Sequence, residues 1–117
     1  MKILNEINLC FDALENLEIP TICTMHGAAL GGGAEFSLCF DFRIADSSLI
    51  FGFPETGLGI IPGAGGTQRL SRLIGLSKAK YLIFSGEKID LIKAYEFGIV
   101  DFKANNFKEV MDIAKKV

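Results

Sequence analysis

In His26-Gly27-Ala28-Ala29-Leu30-Gly31-Gly32-Gly33-Ala34-Glu35, four of ten positions are glycine and the last is a carboxylate. Glycine is entropically costly inside helices and strands, so this density marks tight turns and backbone brought close to something else. The stretch is entered from Thr21-Ile22-Cys23-Thr24-Met25-His26, an alternating, β-branched run that predicts a strand ending at Gly27. It is left through the triple glycine, which opens a predicted helix from Ala34 to Phe40. Glu35 lies in that helix's first turn, where the helix dipole favours an anion.

Working outward, ten of the thirteen glycines fall at positions 27–66. Upstream, residues 1–17 read as an amphipathic helix stopped by Pro20, with Ile3, Leu4, Ile7, Leu14 and Leu17 near a 3.6-residue period. Downstream, positions 42–45 and 49–53 read as short strands, the second broken by Pro54-Glu55, and positions 57–66 as a loop. Helices follow at 67–74, at 78–84 with Ser77 as its cap, and at 91–97 between an Asp90 cap and Gly98. A strand at 99–102 and a helix at 107–116 complete an α/β chain.

The chain has 117 residues, a net charge of −2 and 50% hydrophobic residues, which bounds it to one globular domain and excludes intrinsic disorder. No electrostatic footprint for nucleic acid is present; Lys103, Lys108, Lys115 and Lys116 read as a solvated helix face. No apolar run reaches membrane-spanning length. Cys10, Cys23 and Cys39 supply neither a CxxC zinc signature nor an even disulfide framework, and the N-terminus carries no targeting signal. Gly57-Leu58-Gly59 with Gly63 has GxGxxxG spacing, and position 67 follows no P-loop lysine, so both nucleotide readings fail. His26, the single histidine, reads as a packed or partly exposed structural residue, and the phenylalanines as core or interface.

The chemistry-bearing pattern is a pair of carboxylates, Glu35 and Glu55, each held in backbone that glycine or proline has bent. Two carboxylates in apolar surroundings can divide into base and acid. Gly31-Gly32-Gly33 offers N–H groups at a helix start, suited to a developing oxyanion. On the residues alone, a cap and a surface carboxylate stay open as the plainer reading and hold the edge.

The motifs Ile19-Pro20-Thr21-Ile22, His26 through Glu35, Asp41-Phe42-Arg43-Ile44-Ala45, Phe51-Gly52-Phe53-Pro54-Glu55, Gly57 through Leu70, and Ser85-Gly86 through Val100 occur in one order. Together, over positions 17–101, they resemble the enoyl-CoA hydratase/isomerase (crotonase) superfamily, and most of all the branch with methylglutaconyl-CoA hydratase and short-chain enoyl-CoA hydratases. The resemblance implies a crotonase-like β-β-α spiral over residues 1–117, partial, without its N-terminal strands and most of its C-terminal helical region. It implies reversible syn hydration of a 2-enoyl-CoA thioester, with Glu35 as general base and Glu55 as the acid that protonates Cα. The N–H of Gly32 would serve the oxyanion hole, with Gly31 beside it, and Gly63 would allow close backbone approach to the substrate. Arg69 would be structural, pairing with a carboxylate.

The same resemblance implies no metal or redox cofactor, the CoA thioester being the substrate, and homo-oligomeric (trimeric or hexameric) relatives, with no nucleic-acid or membrane partner. Location would be the mitochondrial matrix in a eukaryote and the cytoplasm in a bacterium. Family members are more than twice this length, and the second oxyanion N–H comes from a segment that would lie upstream. The alternatives are therefore an isomerase on the same scaffold, or an inactive truncated chain surviving as an interaction partner. A spiral cut at both ends, with a mean hydropathy of +0.36, is expected to self-associate.

Overall fold

The structure, a computed structural model, describes residues 2–54 and 66–117. Helix α1 (Lys2–Glu15) leads into β1 (Ile22–Met25) and β2 (Ala28–Leu30), and α2 (Gly32–Ser37) follows. Next come β3 (Phe42–Ala45), β4 (Ile50–Gly52), α3 (Gly66–Ile74), α4 (Leu76–Ser85) and β5 (Ile89–Asp90). The chain ends with α5 (Leu91–Phe97), β6 (Phe102–Lys103) and α6 (Phe107–Lys116).

Neither β1 and β2 nor β3 and β4 pair with each other. β1, β3 and β6 form one sheet and β2, β4 and β5 another, so the chain crosses between sheets at residues 26–27 and again at 46–49. β1 pairs parallel with β3, Ile22 opposite Phe42, and β2 pairs parallel with β4, Ala28 opposite Ile50. Among the described residues, only β4 and β5 run antiparallel. Two strands, one for each sheet, followed by a helix, is a β-β-α spiral turn, as the fold expectation required.

Side-chain alternation along β3 shows why both faces of its sheet are covered. Ile44 packs with Ala104 and Val110 of the α6 layer, with Ile22, Ile113 and Ala114 around them. Ala45 faces the other way, into the main core of Leu49, Phe51, Phe53, Leu70, Leu82, Ile83 and Ile99. Arg43 shares the Ala45 face, which carries its guanidinium into the protein interior (3% exposed).

Several expected boundaries move. The strand at 99–102 shortens to Phe102–Lys103 because the N–H groups of Ile99 and Val100 donate back to the Ala94 carbonyl, wrapping the end of α5. Helix α4 starts at Leu76, two residues before the expected start at Lys78, and Gly75 takes the cap position expected of Ser77. Gly75 (φ 90°) turns the chain out of α3, and its carbonyl accepts from the Ala79 N–H. Helix α2 spans Gly32–Ser37 in place of the expected run from Ala34 to Phe40. The short strands β2 and β5 had no sequence signal. Ala-Ala-Leu has little β-propensity of its own, and β4 supplies the partner for both. The expected loop at positions 57–66 lies outside the described residues, apart from Gly66, which begins α3. Among the described residues, Phe84, Leu9, Ile19 and Leu76 are the most exposed large apolar side chains, between 60% and 72%.

Candidate active site

The turn between β2 and α2 is built by glycine for two different reasons. Gly31 has φ 56° and ψ −117°, a conformation that an L side chain disfavours. Its N–H donates to the Gly52 carbonyl (3.0 Å) and its carbonyl accepts from the Glu35 N–H (3.0 Å), so it ties β4 to the first helical bond of α2. Gly32 and Gly33 are exposed, have no positive φ, and a Cβ on either would meet nothing within 4 Å. Neither backbone conformation nor packing demands glycine there. The N–H groups of residues 32–34 begin the helix and have no acceptor four residues back.

One turn along, Glu35 is 4% exposed, on the inward face that also carries Ala34 and Leu38. A buried carboxylate is expensive unless pairing or function holds it. The plainer reading of position 35 as a cap is corrected, because Gly31 is the N-cap and no side chain caps α2. The opposite end of α2 is held from below: Arg43 donates through Nη1 to the carbonyls of Phe40 (2.7 Å) and Ser37 (3.2 Å). Its Nε donates to Ile99 O (2.7 Å), and Nη2 lies 3.6 Å from the Asp101 carboxylate. Burial pulls the Arg43 pKa down from its ordinary value, with Asp101 opposing. The Arg43 network escaped sequence reasoning, although a lone charge inside an apolar strand run was a signal for it.

Gly31, Gly32 and Glu35 therefore come together as expected, within one strand–turn–helix unit. Glu55 and Gly63 lie outside the described residues, which end at Pro54 and resume at Gly66. Arg69 is buried, as expected of a structural residue, with its guanidinium 2.6 Å from Asp12 and 3.0 Å from Glu15, fastening α3 to α1. His26 is exposed, its ring against Phe107 at 4.5 Å, which pins α6 beside the end of β1. Burial pushes the Cys23 and Cys39 thiols up, so neither is a ready nucleophile near neutral pH. A cavity of about 320 Å³ lies between α1, α3 and the α2–β3 connection. Its two buried guanidiniums, of Arg43 and Arg69, are committed to carbonyls and carboxylates of the chain. Among the described residues no three His, Cys, Asp or Glu side chains converge as metal ligands, and no helix is long and apolar enough to cross a membrane.

Residues 4–117 match the sequence model of the enoyl-CoA hydratase/isomerase family. The chain is 57% identical over 97 residues to the Probable enoyl-CoA hydratase 2, mitochondrial, of Arabidopsis thaliana, covering 83% of this chain and 32% of that protein. It is 49% identical over 110 residues to the Short-chain-enoyl-CoA hydratase of Clostridium acetobutylicum, covering 94% of this chain and 42% of that one. The crystal structure of an enoyl-CoA hydratase from Bacillus anthracis superposes with a TM-score of 0.92 at 45% identity, over 97% of this chain and 43% of that one. The chain thus spans less than half the length of each of these relatives.

Proposed function

The chain belongs to the enoyl-CoA hydratase/isomerase family, and from that premise we propose that it serves the syn hydration of a 2-enoyl-CoA thioester. The observation that carries this reading is the pairing of open glycines with a buried carboxylate. Gly32 and Gly33 lack side chains that the fold itself would accommodate, and Glu35 stands buried one turn beyond them. An acyl thioester laid against the turn gives both features a purpose.

In this reading the Gly32 N–H, supported by the start of α2, donates to the thioester oxygen as charge moves onto it, with Gly31 setting its direction. One such donor typically contributes about 3–4 kcal/mol to the transition state. Glu35 takes a proton from water and directs the resulting hydroxide to Cβ, and Glu55 delivers a proton to Cα from the same face. The two carboxyls titrate as a coupled pair. Gly63 admits the acyl chain close to the backbone. The reaction draws on no metal or redox cofactor, and the acyl-CoA is substrate. The working form is a homo-oligomer, in the mitochondrial matrix of a eukaryote or the cytoplasm of a bacterium.

The test is product analysis with a short 2-enoyl-CoA. The protein is expected to form the 3-hydroxyacyl-CoA. Gly32→Ala should lower kcat about 10²–10³-fold without loss of stability, and Glu35→Gln about 10²–10⁴-fold. Double-bond migration without hydrated product would replace this reading with an isomerase. No turnover at all, or full activity in both variants, would overturn it.

A further inference from the structure

We propose that Ser48 and Asp46 are positioning residues that set the register of β2 and thereby aim the Gly31-Gly32-Gly33 turn. The need for them follows from how little else holds β2. That strand is three residues long and lies at the edge of its sheet, with a parallel ladder of Ala28, Ala29 and Leu30 opposite Ile50, Phe51 and Gly52. A slip of one residue would carry Gly31 about 3.3 Å along the strand and reverse every side chain. The ladder is anchored at its exit by the Gly31 N–H on Gly52 O, and at its entry by the Ile50 N–H on Gly27 O (2.9 Å).

The entry anchor depends on side chains. The Gly27 N–H, in a turn with φ 70°, donates to Ser48 Oγ (2.8 Å). The Ser48 hydroxyl donates in turn to Asp46 Oδ1, which also accepts the Ser48 N–H (2.9 Å). A serine hydroxyl has one proton. Giving it to Asp46 leaves the Oγ lone pairs for Gly27, so Asp46 fixes the polarity of the whole relay. Asp46 is itself 5% exposed, and its N–H donates to Met25 O (3.3 Å). The relay therefore joins the two corners where the chain passes from the β1–β3 sheet to the β2–β4 sheet. It sits at the far end of β2 from the glycine turn and touches no reacting atom.

The catalytic readout rests on the hydratase reading above, so the experiment carries a second readout that does not. In the full chain, Ser48→Ala should lower kcat for 2-enoyl-CoA hydration about 10–100-fold, the scale of a small misplacement of catalytic groups, with KM nearly unchanged. Ser48→Thr, which restores the hydroxyl, should restore kcat. Unchanged kcat in Ser48→Ala, or loss that Ser48→Thr does not rescue, overturns the inference. If the unsubstituted protein hydrates no enoyl thioester, the hydratase reading fails, and amide NMR decides the positioning role alone. The Gly31, Gly32 and Gly33 cross-peaks should shift in Ser48→Ala and return in Ser48→Thr. Peaks that stay in place would refute it.

Discussion

Replacing Arg43 by methionine keeps the length of its buried stem and removes the guanidinium, which isolates what the fork of donors contributes. Three carbonyls lose a donor: Ile99 O and Ser37 O in buried surroundings, and Phe40 O in a partly buried one. A buried acceptor left unmade costs about 1–3 kcal/mol. Ser37 O keeps a long bond from the Phe40 N–H (3.5 Å), which places it at the low end. Water can reach Phe40 O, and the Asp101 carboxylate is 33% exposed at 3.6 Å, so these add little. Against the loss stands the relief of no longer desolvating a cation, the effect that pulls the Arg43 pKa down. The unmade bonds sum to about 2–4 kcal/mol. The relief brings the net to the low end of that range, about 2 kcal/mol, still a sizeable share of the roughly 5–15 kcal/mol that stabilises a domain. Arg43→Lys retains the charge but cannot span carbonyls on both α2 and the 99–101 segment, so about 1–2 kcal/mol should be lost. Urea unfolding followed by circular dichroism reads both values. A methionine variant within about 1 kcal/mol of the parent would refute the claim that the end of α2 is held from below. A lysine variant as stable as the parent would show that charge, and not the planar fork, does the holding.

Three further expectations follow from burial. Gly52→Ala would put a Cβ 2.8 Å from Glu87 O and 3.3 Å from Lys88 Cα, both backbone, beside the β4–β5 pairing. It should cost about 1–3 kcal/mol in urea unfolding; a variant as stable as the parent would show that the backbone at 87–88 yields freely. Among the thiols, Cys10 is exposed, Cys23 half-buried and Cys39 buried, so mild alkylation followed by mass spectrometry should add one group, and three after denaturation. Burial raises the Cys23 and Cys39 pKa values above the ordinary 9.0. The folded chain thus binds more thiol protons than the unfolded chain above that pH. Their contribution to stability is complete below about pH 9 and is lost as pH rises through the raised values. A Cys23→Ala, Cys39→Ala double variant should flatten the alkaline fall of the melting temperature, and an unchanged fall would refute the assignment.

The local punctuation of this chain determined a great deal. Asp90 and Gly98 bracket α5 as capping chemistry dictates, the Asp90 carboxylate accepting from the Lys93 N–H and Gly98 taking φ 87°. The alternation of 42–45 and the apolar run at 49–53 place β3 and β4. The order of glycine-rich motifs was enough to carry the family, because those spacings encode one particular set of turns. Gly31, Gly32 and Glu35 could be picked out as a unit because they are neighbours in sequence.

What the tertiary structure decided depends on groups far apart in the chain. Whether Glu35 sits on the surface or inside is invisible in a six-residue helix; the neighbouring core and the Arg43 support beneath α2 settle it. β2 and β5 exist because β4 offers them hydrogen-bond partners, a condition that no propensity of Ala-Ala-Leu or Ile-Asp expresses. Gly32 and Gly52 look alike as letters. Only the fold separates them, since one faces open space and the other meets the backbone of residues 87–88. Sequence spacing specifies local geometry, whereas burial and register are properties of contacts between segments that are 20 to 58 residues apart along the chain.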